Sequence, residues 1–442
     1  MIDKENLPKG WTIAKFEDLL DYIQPTNYIV KSTEYKDTYK TPVLTAGKSF
    51  IKGYTNETDG IFNSLPTIIF DDFTTATQYV TFPFKVKSSA MKILQPTCDL
   101  VNIKLAFYLM QIQNIKGDTH KRFWISEYSQ LPVPLAPLNE EKRIIDKIEE
   151  LITDLDKGIE YLETTKQQLT VYRHAVLKWA FEGKLTNKEH KEGILPKGWI
   201  QKRFGDIGKW RGGGTPTKSV KEFWQNGSIL WVSPKDMKSK VIKDTEDKIT
   251  SQAVESSSTK IIPANSILFV VRSGILRRTL PIAITTTDVT LNQDMQAVTP
   301  ENILPNYVFW YATSKSEEIR HKCSKDGTTV ESIESSLFKN FPFVYPEDKN
   351  EQQSIINEIE SRISVCDKIE ETIESSLLQA EALRLSIIKR AFEGKLVPQN
   401  PSDEPAEKLL ERIRAKRGKG KLIKTEKEIK IKKKAKERHA TI

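Results

Sequence analysis

The sequence predicts a mixed α/β chain: two α/β domains separated by two long antiparallel coiled-coil helices, arranged as a pseudo-two-fold internal repeat. Three observations carry that reading. A five-residue tag occurs twice, a longer segment matches another without a gap, and an apolar period of three to four residues runs through both copies of that segment uninterrupted by proline. The expected boundaries are 1–138 for the first domain, 139–187 for a first long helix, 188–349 for the second domain, 350–397 for a second long helix and 398–442 for a basic tail.

The tag is LPKGW, at Leu7–Trp11 and Leu195–Trp199, an offset of 188. The longer match begins NEEKRIIDKIEE at Asn139 and NEQQSIINEIES at Asn350, an offset of 211, and ends in AFEGKL at Ala180–Leu185 and Ala391–Leu396. About 20 of its 47 positions are identical. Each half therefore reads as a tag, a variable stretch and a shared segment. In the first shared segment Ile144, Ile148, Leu151, Leu155, Ile159, Leu162, Leu169, Tyr172, Val176 and Ala180 form an apolar stripe; Ile355, Ile359, Ile363, Cys366, Ile373, Leu383, Ile387 and Ala391 form its counterpart. A helix of about 45 residues is roughly 65 to 70 Å long, which suits a coiled coil better than a core helix. Gly183 and Gly394 supply the stops.

The variable stretches carry strand signals instead. TPVLT and PTIIF in the first, and SILWVS, SILFVV and IAITTT in the second, alternate with turn residues; each stretch ends in a helical piece, LAFYLMQI or YVFWYATS. No apolar run approaches the ~18 residues of a membrane helix, and the opening MIDKENLPKG lacks a signal core, so a cytoplasmic chain is expected. Cys98, Cys323 and Cys366 are far apart and show no metal-ligand spacing, which fits buried thiols in a reducing compartment. The net charge of +9 is concentrated at the end: from Pro401 onward 15 Lys and Arg face 7 Asp and Glu, leaving 53 against 52 before it. Nucleic acid would thus be held by local basic patches, while the region from Lys416 to Arg438 reads either as a plain solvated tail or as one with affinity for phosphate.

Catalytic patterns fail on inspection. GGGTPTKS at Gly212–Ser219 resembles a phosphate-cradling loop, but Thr217 stands where glycine is needed and Pro216 removes an N–H donor. Asp236, Glu246 and Lys248 imitate a metal-dependent nuclease, yet the last two lie in the polar run KDTEDK. The five histidines form no cluster, and no Asn-Pro-Pro-aromatic loop of adenine methyltransferases is present. What remains is basic, aromatic and small polar residues mixed in loops. The first domain offers Lys48, Lys52 and Tyr54, Lys87 and Ser88, and Lys121, Arg122 and Trp124. The second offers Trp210, Arg211 and Thr215, Lys235, and Arg272, Arg277 and Arg278. Such residues suit DNA, since Lys and amides hold phosphates while Arg and small polar groups read base edges.

LTAGKSFIKGYTNETDGIF with IIFDDFTTATQYV, GGGTPTKSVKEFW with ILWVSPKDM, AFEGKL closing each helix, and DEPAEKLLERIR at Asp403–Arg414 resemble the specificity subunit of type I restriction-modification enzymes over nearly the whole chain. The resemblance implies a non-catalytic subunit with two target-recognition domains, serving DNA methylation and phage defence. It implies no cofactor in this chain. S-adenosylmethionine would belong to two partner methyltransferase subunits, ATP and Mg to two partner restriction subunits, and double-stranded DNA would be the ligand. The lysine-rich end departs from the usual pattern and takes no family role. Two other classes compete with this one: a coiled-coil scaffold indifferent to DNA sequence, and a self-sufficient methyltransferase-nuclease, whose motifs are missing.

Overall fold

The computed structural model describes residues 7–47, 49–113, 115, 122–186, 194–325 and 330–418. Lys48, Lys121 and the end of the basic tail lie outside them. The chain divides into two compact units, Met1–Leu162 with Ser375–Ile442, and Glu163–Glu374. Each unit therefore holds one α/β domain, the start of the long helix that follows it, and the end of the other long helix.

The first unit contains a four-stranded antiparallel sheet in the order Leu20–Ile23, Met91–Pro96, Thr67–Asp71, Thr77–Val80, and a three-stranded sheet in the order Ile51–Thr55, Thr41–Leu44, Lys85–Val86. The second unit repeats the plan. Gly208–Gly212, Met295–Pro300, Ile267–Val270 and Ile282–Thr285 form the larger sheet, extended by Val241–Ile242; Asp247–Ile249, Ile229–Val232 and Val289–Leu291 form the smaller one. In both small sheets the central strand pairs in parallel with the third, Val43 opposite Lys85 and Leu230 opposite Val289. Domains with different variable sequences thus share one topology. The second has additions, among them Val241–Ile242 and the helices Ser251–Glu255 and Ser316–Lys322.

Two long helices, Leu138–Phe181 and Lys349–Phe392, stop five or six residues short of the expected ends. The reason is local. Gly183 has φ +78 and Gly394 φ +67; the N–H of Gly183 bonds Ala180 O and that of Lys184 bonds Trp179 O, with the same pair of bonds at Gly394 and Lys395. This is a Schellman close, which needs the left-handed backbone that glycine adopts without strain. It explains why AFEGKL recurs.

The tag recurs for a complementary reason. A Cβ on Gly183 would lie 2.3 Å from Pro196, and one on Gly394 the same distance from Pro8, so each tag proline packs on a helix-ending glycine. Three residues further, the Trp11 indole N–H donates to Glu140 at 3.1 Å and that of Trp199 to Glu351 at 2.7 Å. Each tag therefore ties the end of one long helix to the start of the other within its own unit. A two-stranded sheet, Thr12–Lys15 with Pro132–Leu135 or Trp199–Arg203 with Pro342–Pro346, completes the junction.

Inside each unit the long helices run antiparallel. Lys166 pairs with Glu374 at 2.7 Å and Arg173 with Asp367 and Glu370 at 2.8 Å in the second unit, while Asp156 pairs with Arg384 in the first. On the second helix Gln352, Ile359, Cys366, Ile373, Ala380 and Ile387 are buried at every seventh position. Ala380 takes the place expected of Leu383, which is exposed. No helix among the described residues is long and apolar enough to cross a membrane.

Candidate nucleic-acid interface

Both domains build the same edge, at the ends of equivalent strands. In the first, Lys87 N–H bonds Leu44 O at 3.1 Å, Asp72 N–H bonds Ala90 O at 2.9 Å, and Phe123 N–H bonds Asp72 O at 2.9 Å. In the second, Asn292 N–H bonds Val232 O at 2.9 Å, Arg272 N–H bonds Asp294 O at 3.2 Å, and Ile333 N–H bonds Val271 O at 2.8 Å. Backbone bonds thus gather equivalent loops in each domain. Rigid strands hold these loops while the side chains differ, an arrangement suited to changing specificity without changing fold.

At the first edge Lys87 is exposed and Ser88 half-buried, Lys52 is exposed at the start of its strand, and Arg122 is exposed with its guanidinium 5.9 Å from the Phe73 ring. Tyr54 is half-buried further along the strand that carries Lys52. Asp71 builds a tight turn, its carboxylate accepting from the N–H groups of Phe73 and Thr74 and its carbonyl from Thr75, whose φ is +60. The turn leaves Thr74 exposed beside the expected residues.

Trp124 must be corrected from a contact residue to a core residue. It is 2% exposed, stacks on Tyr128 and packs edge-on against Phe70. Its N–H donates to Asp72, whose other oxygen lies 3.4 Å from the buried Lys92; Lys92 in turn donates to Gln24 at 3.0 Å. The tryptophan anchors a buried chain that links three of the edge loops.

At the second edge Arg272, Arg277, Arg278 and Lys235 are exposed. Arg272 bonds Asp294 at 2.6 Å, Arg277 lies 3.5 Å from Glu331 and Lys235 lies 3.9 Å from Glu246. Arg211, Arg278, Lys52 and Lys87 have no ion pair among the described residues. Thr215 bonds Gln293, which the sequence reading missed because no basic residue marks it. It also missed Arg320, whose guanidinium donates to the carbonyls of Leu276 and Arg277 at 3.4 and 3.2 Å and so fixes the turn that carries Arg277 and Arg278.

Trp210 is half-buried and packs in an aromatic cluster. It stacks on Phe269 at 5.8 Å, meets Phe338 edge-on at 5.3 Å, and its indole N–H is taken by Phe204 O. The nuclease lookalike also has a structural use: Asp236 accepts from Ser233 at 2.8 Å and from the N–H of Glu246 at 2.9 Å, while Lys248 pairs with Asp244. No group of three or more metal-binding side chains occurs among the described residues.

The model of the type I restriction modification DNA specificity domain matches this chain twice, over residues 8–170 and 196–379. The chain belongs to that family, and it is a non-catalytic specificity subunit. It is 44% identical over 410 residues to the EcoR124I/EcoR124II specificity subunit of Escherichia coli, covering 89% of this chain and 93% of that one. A specificity subunit of Methanocaldococcus jannaschii, MjaIX, is 29% identical over 46% of this chain and 46% of its own length. Among solved structures, a chain of a type I R-M system fits with TM-score 0.65 over 88% of this chain and 99% of its own, at 15% identity. The HsdS subunit of Thermoanaerobacter tengcongensis fits with TM-score 0.53 over 88% of this chain and 98% of its own, also at 15% identity. Those two likenesses are of fold alone.

Proposed function

We propose that this subunit reads an asymmetric, bipartite, adenine-containing site on double-stranded DNA, one half with each domain. The observation that carries the proposal is the pair of equivalent loop edges, built on one topology and furnished with different side chains. Equivalent edges suit equivalent placement on duplex DNA, and different side chains suit different base sequences. Lys48, Lys52, Lys87, Ser88, Lys121, Arg122, Arg211, Thr215, Lys235, Arg272, Arg277 and Arg278 are the proposed contacts, joined by Thr74 and Gln293; Tyr54 is retained, while Trp124 and Trp210 support them from beneath.

The long helices would pair as an antiparallel coiled coil about a pseudo-two-fold axis, setting the spacer between half-sites and docking two methyltransferase subunits. Buried positions at sevens and antiparallel ion pairs within each unit support this. S-adenosylmethionine would be bound by those partners; ATP and Mg would be bound by two restriction subunits in a larger cytoplasmic complex. The expected partition into 1–138, 139–187, 188–349, 350–397 and 398–442 follows chain order, whereas compact packing exchanges the helix ends between halves.

The test is to express the chain with the adenine methyltransferase of its own system and map methylated adenines across a genome. A two-part motif with a fixed gap of unspecified bases is expected. Methylation without sequence preference would favour the scaffold reading, and a single continuous motif would reject the division of labour.

A further inference from the structure

In each unit one glutamate of a long helix reaches across to the domain seated on that helix. Glu149 and Glu360 occupy equivalent positions of the repeat, eleven residues, or about 16 Å, from the first residue of their helices. Glu149 pairs with Lys104, whose ammonium lies 5.8 Å from the centre of the Tyr79 ring. Glu360 pairs with Lys240 at 2.9 Å and accepts the Trp310 indole N–H at 3.3 Å, while the Lys240 ammonium lies 4.2 Å from the centre of the Trp310 ring. The domains supply these partners from exchanged places. In the first, the lysine comes from helix Ile103–Gln111 and the ring from strand Thr77–Val80. In the second, the ring comes from the matching helix, Pro305–Ser314, and the lysine borders strand Val241–Ile242, which pairs with Ile282–Thr285, the counterpart of Thr77–Val80. Both lysines are fixed at the backbone: Lys104 N–H bonds the Asn102 side chain at 2.9 Å, and Lys240 O accepts from Ile284 N–H at 2.9 Å. Different sequences thus rebuild one contact of cation, ring and carboxylate on the same helix position.

Each contact marks the outer limit of a domain's grip on its helix. Ile148 and Ile359, just before the glutamates, are fully buried in the domain cores, whereas Leu151, Ile152 and Ile363 beyond them are only partly buried. At the other end of the grip Trp11 and Trp199 bond Glu140 and Glu351, nine residues, or about 13 Å, nearer the helix start. A body pinned at one end pivots there; a second pin further along the axis removes the rocking. Rocking would carry a reading edge along the duplex, where one base pair is about 3.4 Å. Half-buried ion pairs add little to stability, so a contact rebuilt twice from different sequence suits the holding of a tilt better than the holding of the fold. We propose that Glu149 and Glu360 are positioning residues that set the gap between the two half-sites, each keeping its domain at one tilt on its helix. The inference rests on the proposed reading of a two-part site.

The test measures methylation by the full chain in complex with its methyltransferase, on duplexes whose gap is native, one base pair longer or one base pair shorter. Glu149→Ala and Glu360→Ala should each lower the preference for the native gap roughly fivefold, the scale of an ion pair joined to a cation–π contact, with the bases of both half-sites unchanged. Lys240→Ala should act in the same way. Lys240→Arg, which keeps the cation, and Glu360→Gln, which keeps an acceptor for Lys240 and Trp310, should retain most of the preference. A contact that serves only the fold would instead lower the melting temperature and slow methylation of all three duplexes alike. Equal losses on the three duplexes, or a gap preference unchanged in both Glu149→Ala and Glu360→Ala, overturns the inference. A wild-type complex that methylates no two-part motif overturns the DNA-reading proposal itself.

Discussion

Arg278 and Trp124 both lie in stretches rich in basic residues, yet Arg278 is exposed and Trp124 is buried. Replacing Arg278 with Ala should weaken duplex binding by about 1–3 kcal/mol while leaving the melting temperature unchanged; Trp124→Ala should instead cost about 3–5 kcal/mol of stability. Gel shift and thermal melting separate the two. A second residue-scale prediction concerns Glu141, whose carboxyl is 3% exposed with one oxygen unpartnered, and is pushed by burial from 4.5 up to about 8. Its counterpart in the second copy is Gln352, which accepts from Leu304 N–H at 2.9 Å and donates to Pro346 O at 2.8 Å. Neighbouring Glu140, beside Trp11, Arg143 and Asp403, is shifted upward as well, again chiefly by burial. The folded state thus holds the Glu141 proton more tightly than the unfolded state does. The associated stability is present below about pH 4.5 and lost as the pH rises through about 8. Glu141→Gln should flatten that loss and raise the melting temperature at pH 8; an equal pH dependence in both proteins would refute it.

The long helices were legible because 44 residues of period and a duplicated sequence leave few alternatives. Their ends were not, since a Schellman close depends on Gly183 and Gly394 meeting prolines distant in the chain or on the far side of a loop. Gly183→Ala should therefore destabilise the second unit by more than the ~1 kcal/mol of an ordinary left-handed position, because the added methyl also collides with Pro196. Thermal melting checks this, and a neutral result would mean that the junction yields. The role of the helices as a spacer is testable by paired insertion. Four residues after Gly158 and four after Glu381, in facing stretches of the first unit, lengthen both helices by about 6 Å and nearly preserve the apolar stripe. The preferred gap between half-sites should grow by one to two base pairs at ~3.4 Å each with both half-sites unchanged. Two-residue insertions rotate the stripe by about 200° and should abolish binding.

For the whole molecule, the repeat announced two halves, but the sequence did not show that two domains with different variable stretches share a strand order. That likeness resides in hydrogen-bond pairing such as Val43 with Lys85 and Leu230 with Val289, which many side-chain sets satisfy. Nor could it show that compact packing exchanges helix ends, since Pro8 meets Gly394 from the opposite end of the chain. The candidate site was legible as loops rich in cations; Gln293, Thr74 and Arg320 escaped because their places depend on neighbours remote in sequence. The shared topology also makes the domains interchangeable in principle. Replacing residues 200–345 with a second copy of 12–135 joins equivalent strands, Thr12 with Ile200 and Leu135 with Tyr345, between matching tags and helices. The most direct measurement is the motif methylated by that hybrid with its methyltransferase. Two equivalent reading edges predict an interrupted palindrome, with the first domain's half-site repeated in inverted orientation and the second domain's sequence gone. Continued recognition of the original asymmetric site would contradict that division of labour.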